Sequence, residues 1–205
     1  DTLFGDAGLD RMFGGLGNDT GAGGLGVDTL LGESGADTLD GGSGADTLLG
    51  GSGQDWANYT NAAGVAVTID LAVLTAQSGT GSEGFGDVVG GIEHIFGSAF
   101  PDTLAGYGNV NSLLGNNSND TLAGRGGGDW LDGGAGIDTA DYRASAAGVQ
   151  VILGDGVAES GGDAQGDQLT SIEVIQGSSF ADAFGSQAAA ATFFGNAGND
   201  LLLAR

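Results

Sequence analysis

Between Gly5 and Asn58 the chain repeats every nine residues with no residue left over. The six units read GDAGLDRMF, GGLGNDTGA, GGLGVDTLL, GESGADTLD, GGSGADTLL and GGSGQDWAN. Positions 1 and 4 are Gly in all six, and position 6 is always Asp: Asp10, Asp19, Asp28, Asp37, Asp46 and Asp55. Position 8 is apolar and mostly large (Met12, Leu30, Leu39, Leu48), with the smaller Gly21 and Ala57 in two units. Asp1-Thr2-Leu3-Phe4 fits positions 6 to 9 of a preceding unit. So short and strict a period calls for a stack of equivalent turns, each too small to bury its own apolar face.

The residue types suggest what one turn does. Glycines at two or three of four successive positions allow tight turns with positive φ and leave backbone carbonyls unshielded. An Asp two residues after the last glycine sets a carboxylate beside those carbonyls. A hard cation such as calcium takes six to eight oxygen ligands of both kinds, more than one unit supplies, so a site must be shared between stacked units. Positions 7 to 9 place an apolar residue between two mostly polar ones, a short strand with one side chain inward. Two units then close a coil of about eighteen residues, units i and i+2 stack in parallel, and calcium belongs between their loops.

In these residues the sequence resembles the RTX family, the glycine- and aspartate-rich nonapeptide arrays of proteins exported by bacterial type I secretion. That family's pattern is G-G-x-G-x-D-x-U-x, with U large and apolar. Six in-frame units argue against a disordered glycine-rich linker, which would carry no period. The resemblance implies an all-β fold, a right-handed parallel β-roll that binds several calcium ions and folds after export.

Composition agrees. Forty-five glycines, one proline and no cysteine do not describe an ordinary globular domain. Four basic residues against twenty-seven acidic ones give a formal charge of −23. That balance argues against nucleic acid and anionic membrane surfaces as partners. It also predicts that the metal-free chain repels itself and is loosely folded or unfolded. No apolar run is long enough for a membrane span, no basic leader precedes the array, and both ends read as cuts in a longer secreted or cell-surface protein.

Five segments follow in order: a first array over 1–58, a wider coil over 59–96, a second array over 97–141, another wider coil over 142–176, and a short third array over 177–205. In the first wide coil Val65, Val67, Ile69 and Leu71 alternate as a half-buried strand, a polar loop runs from Thr75 to Asp87, and Glu93 and Ile95 resume positions 6 and 8. The second array begins degraded, with Phe100 and Asn109 at position 4 and Asn111 at position 6. Over 115–141 it returns toward the pattern with Asp120, Asp129 and Asp138. The second wide coil parallels the first, Tyr142 to Val151 matching Tyr59 to Val67 with one extra residue, so the chain holds a superrepeat of about eighty residues. In the third array only Gly198 and Asp200 stay in pattern.

The chemistry predicts roughly eleven coils rising ~4.8 Å each, both wide ones metal-poor. Metal ligands are expected where carboxylates recur eighteen residues apart: Asp10 with Asp28, Asp19 with Asp37, Asp28 with Asp46, Asp37 with Asp55, Asp1 with Asp19, and Asp120 with Asp138. Asp129 faces Asn111, and Asp200 faces Asp182 across a poor loop. Carbonyls at positions 2 and 4, from Gly15, Gly17, Gly24, Gly26, Gly42, Gly44, Gly51 and Gly53, would complete the shells.

Other features carry a second reading. Thr20, Thr29, Thr38, Thr47, Thr121 and Thr139 form outward ladders, and Trp56 and Trp130 share their position. Such rows bind glycan or ice in an adhesin-type module, although β-branched ladders are also simply good sheet formers, and the tryptophans suit packing against the wide coils. Glu93 and Glu173 sit where Asp sits in other units and read as weak ligands or, preferably, as solvated or hydrogen-bonded turn residues, and the single histidine, His94, reads as a surface residue. No cysteine nucleophile, second histidine or isolated acid/base pair supports catalysis. The chain is therefore expected to be non-catalytic, a structural or spacer module, or the accessory module of a secreted protease or polysaccharide-modifying enzyme.

Overall fold

The computed structural model describes residues 1–62, 64–77, 84–187 and 190–204. The loop expected from Thr75 to Asp87 therefore lies partly outside the described residues. The fold is all-β, with short parallel strands in stacked sheets and, among the described residues, a single 3₁₀ turn, Gly162–Ala164. It is a parallel β-roll, as the nine-residue period implies. The chain divides into two compact units, Asp1–Leu104 and Ala105–Arg205.

In the first unit the strands Thr2–Phe4, Thr20–Gly26, Thr38–Ser43 and Trp56–Asn58 pair in parallel as one sheet, and Arg11–Leu16, Thr29–Ser34 and Thr47–Ser52 as another. Partners are eighteen residues apart throughout: Thr2 with Thr20, Thr20 with Thr38, Thr38 with Trp56, Thr29 with Thr47. One unit thus supplies one strand, and two supply a coil. The second unit repeats this with Ser112 against Trp130 and Thr121 against Thr139.

Position 8 fills the interior. Leu30, Leu48, Ala57, Leu104, Leu113, Leu122, Leu131 and Ala140 are wholly buried, while Leu39 and Met12 are nearly so. At Gly21 the side chains of Leu30 and Leu39 close over the place of the missing side chain, at 3.3 and 3.6 Å from a built Cβ. The core is therefore one side chain thick per strand, and apolar burial per coil is small.

The wide coils interrupt the period without breaking the stack. The chain leaves the first array at Asn58 and rejoins it at Val88, which stands against Thr47, a step of forty-one residues. Ile95 then stands over Ala57, as its expected position 8 requires. In the second unit Gln168 pairs with Trp130 and Val174 with Thr139. The excursions carry the strands Thr68–Asp70 and Gln150–Leu153. Val67, Ile69 and Leu71 face inward as the alternation predicts, whereas Val65, expected to join them, is only half-buried. The match between the two excursions is corrected by two residues: Val67, not Val65, takes the place of Val149. Both donate their N–H to an aspartate Oδ1 at 2.8 Å, Asp102 and Asp182. A slip of two preserves which face is buried, so the alternation could not show it.

Candidate metal centre

Position 6 stands at the corner between loop and strand. The strand ladder begins one residue later: the N–H of Thr29 reaches the carbonyl of Asp10, and that of Thr47 the carbonyl of Asp28. The N–H of the position-6 residue itself donates to the carboxylate Oδ1 one coil on. Asp10 donates to Asp28, Asp19 to Asp37, Asp28 to Asp46, Asp37 to Asp55 and Asp120 to Asp138, each at 2.8 Å. Asp182 donates to Asp200 at 3.0 Å, and the amino group of Asp1 contacts Asp19 Oδ1. The pairs read from the spacing are therefore brought together, joined by a backbone amide in every case but Asp1, where the terminal amino group makes the contact. Asn111 donates in the same way to Asp129.

The second oxygen behaves differently. In Asp10, Asp19, Asp28, Asp37, Asp46, Asp55, Asp129 and Asp138, Oδ2 is buried and accepts no hydrogen bond. A buried carboxylate oxygen without a donor costs about 1–3 kcal/mol, more when charged. Their recurrence, six in the first array and two in the second, is an architectural property, and it is one that a cation relieves.

The glycine at position 1 shapes the space around that oxygen. A Cβ on Gly5, Gly14 or Gly23 would stand 2.8, 2.7 or 2.6 Å from Oδ2 of Asp10, Asp19 or Asp28. The same Cβ would stand 2.5, 2.7 or 2.5 Å from the carbonyl oxygen of Gly23, Gly32 or Gly41 on the next coil. A carboxylate oxygen and a carbonyl oxygen from successive coils thus converge on one point. Among the described residues no three acidic or histidine side chains converge, so any cation shell here mixes carboxylate with carbonyl. That is the donor set calcium prefers. The residues present fit the ion.

Positions 2 and 4 are placed as follows. Gly15, Gly24, Gly42 and Gly51 lie within the parallel ladders, Gly15 and Gly51 against Glu33, and Gly24 against Gly42. Gly17 donates its N–H to Ser34 at 2.9 Å. At position 4 the loops touch: a Cβ on Gly26, Gly44 or Gly53 would overlap the carbonyl oxygen of Gly8, Gly26 or Gly35. Only glycine allows this approach, and its φ there is +139°, +152° or +148°.

Burial dominates the electrostatics. Asp46 and Asp129 are pushed up to about 7, with Asp87 and Asp167 respectively adding repulsion. Burial also raises Asp55 and Asp138, which lie near Glu93 and Glu173. The two glutamates act as read, each accepting an N–H, from Asp55 at 3.0 Å and Asp138 at 2.9 Å.

Sequence reasoning missed Asp87 and Asp167. Both occupy position 6 of a wide coil, accepting the N–H of Asp46 and Asp129 at 2.8 Å. The available signal was an Asp two residues before an apolar position, Val89 or Leu169, which survives when the glycines do not. His94 is a correction: it is buried at 7% exposure, against the expected surface position. Its ring packs against Trp56 at 4.6 Å, tilted by 37°, with Nε2 at 3.1 Å from Gln54 Oε1, and burial lowers its pKa. Trp56 also stacks on Phe96 at 4.1 Å, packing against the wide coil, whereas Trp130 is 45% exposed.

The family profile described as the RTX calcium-binding nonapeptide repeat matches the chain in four copies, over residues 1–21, 22–57, 89–122 and 105–140. These cover more than half of the 205 residues. No curated protein matches the chain significantly.

Proposed function

Because this chain belongs to the RTX calcium-binding nonapeptide repeat family, we propose that its β-roll is a non-catalytic module whose arrays fold only when calcium is bound. The observation that carries this reading is the row of buried Oδ2 atoms without donors. Asp10, Asp19, Asp28, Asp37, Asp46 and Asp55 would hold ions in the first array, and Asp129 and Asp138 in the second, with glycine carbonyls completing each shell. Bound calcium supplies positive charge beside carboxylates that otherwise repel one another. With one core side chain per strand, apolar burial alone is a weak driving force, so binding energy becomes folding energy.

Extracellular calcium modules bind at about 10⁻⁴–10⁻³ M, which suits a chain that stays extended during export and folds outside the cell. In that setting the roll serves as a structural or spacer module joined to other domains of a secreted or surface protein. Among the described residues no helix is long and apolar enough to cross a membrane.

Far-UV circular dichroism during a calcium titration, with magnesium as control, tests the reading. The larger part of the β signal is expected to appear cooperatively near millimolar calcium and not with magnesium. An equal β signal in chelator overturns it.

A further inference from the structure

The position-6 carboxylates fall into two classes. In Asp10, Asp19, Asp28, Asp37, Asp46, Asp55, Asp129 and Asp138 Oδ2 accepts no hydrogen bond, whereas in the wide coils it accepts one from the protein. Tyr59 Oη donates to Asp87 Oδ2 at 3.1 Å, and Tyr142 Oη donates to Asp167 Oδ2 at 2.9 Å. Oδ1 of both aspartates still accepts the amide of the preceding coil at 2.8 Å. The carboxylates therefore stand in the same rows as the array aspartates, but a phenol takes up the oxygen that would face a cation.

Three further features point the same way. Both phenols are deeply buried, at 3% and 1% exposure. Burial and the adjacent carboxylate push their pKa values well above the ordinary tyrosine value, so each remains a donor. Position 4, always glycine in the first array, is Phe85 in one wide coil and Gln165 in the other. The loops that bring Tyr and Asp together differ in length, spanning 28 and 25 residues, yet end on the same contact. The following coil is closed as well. Asp102 Oδ2 accepts the N–H of Ser98 at 2.6 Å, and Asp182 Oδ2 accepts that of Ser178 at 2.8 Å.

We propose that Tyr59 and Tyr142 end the cation rows by satisfying Asp87 and Asp167 from within the protein, so that the wide coils fold without calcium and template the arrays that precede them. This rests on the calcium-dependent reading of the arrays. The template is a set of paired strands. Val88–Gly90 lies along Thr47 to Leu49 and His94–Phe96 along Trp56–Asn58, while Gln168–Thr170 and Val174–Gln176 lie along Trp130–Asp132 and Thr139–Asp141. A parallel strand already in place removes much of the ordering cost of adding the next.

Hydrogen exchange of the whole chain, followed by mass spectrometry in chelator and in millimolar calcium, tests the proposal. In chelator the amides of Tyr59, Gln77, Tyr142 and Ala183, each donated to a backbone carbonyl of the wide coils, are expected to exchange at least about tenfold more slowly than those of Thr29, Thr38 and Thr47. Equal exchange in chelator overturns the proposal. The calcium-dependent reading fails separately, if calcium leaves the exchange of Thr29, Thr38 and Thr47 unchanged. In the Y59F/Y142F double variant the protection of the wide coils in chelator is expected to fall about tenfold, with calcium stoichiometry undiminished. A lower stoichiometry would make the phenols ligands and overturn the proposal even with the exchange pattern intact.

Discussion

An aspartate that gives one oxygen to an amide and buries the other without a donor needs a cation or a proton beside it. Asp46 is in that position: Oδ1 accepts from Asp28, Oδ2 has no donor, and its pKa is pushed up to about 7. In the variant Asp46→Asn the side-chain carbonyl keeps the Asp28 bond and the charge disappears. In chelator the β signal of D46N by circular dichroism should exceed the parent's, the folded array being about 1–3 kcal/mol less disfavoured, whereas its calcium midpoint should move about tenfold higher. A β signal in chelator below the parent's would mean that the charge is already compensated within the protein.

The same shifts set a pH dependence. The folded values of Asp46 and Asp129, about 7, lie above the ordinary 3.8. The fold therefore prefers the protonated carboxyl, and that stabilisation is complete below the unfolded value and lost as pH rises through about 7. Without metal, stability should rise on acidification from pH 8 to 5. With calcium the sign reverses, because binding needs the carboxylate. Calorimetric titrations in buffers of different ionisation enthalpy should register protons released near pH 7.

At the scale of the strand and its loop, the period reflects close approach as much as ligand chemistry. Position 4 must be glycine because the carbonyl one coil below occupies the space of a Cβ, as Gly8 does beneath Gly26. Gly15 has a positive φ of +98° but no neighbour within 4 Å of a built Cβ. The two variants should therefore separate. In saturating calcium G15A should cost about 1 kcal/mol, the conformational penalty alone, and G26A at least twice that, because the coils must part. Equal losses by chemical denaturation would show that the loops are looser than their stacking implies. The wide coils are the other half of this scale. Their glycines have lapsed at position 4, yet Ile95 and Ile175 keep the core row unbroken.

For the whole molecule, a formal charge of −23 raises two separable effects, long-range repulsion and local site filling. Monovalent salt screens the first within about 3 Å at 1 M but supplies no ligand geometry. One molar sodium chloride in chelator should therefore leave the arrays without their β signal, while millimolar calcium at low salt restores it. Circular dichroism distinguishes the two, and a β signal induced by salt alone would make repulsion the controlling term.

Period nine, with glycine, aspartate and an apolar residue at constant positions, was enough to establish the strand, the eighteen-residue coil, the parallel register and the pairing of carboxylates. Each of these depends only on local spacing. What tertiary structure decided depends on residues distant in sequence. The closure of Asp87 by Tyr59 and of Asp167 by Tyr142 joins groups 28 and 25 residues apart across irregular loops, and no period encodes that distance. The two-residue slip between the excursions left the buried face unchanged, so alternation was blind to it. His94, polar by type, is buried because Trp56 and the packed wide coil cover it. Local repetition determined the stack, and only contacts across its interruptions decided which carboxylates in that stack are left for a metal.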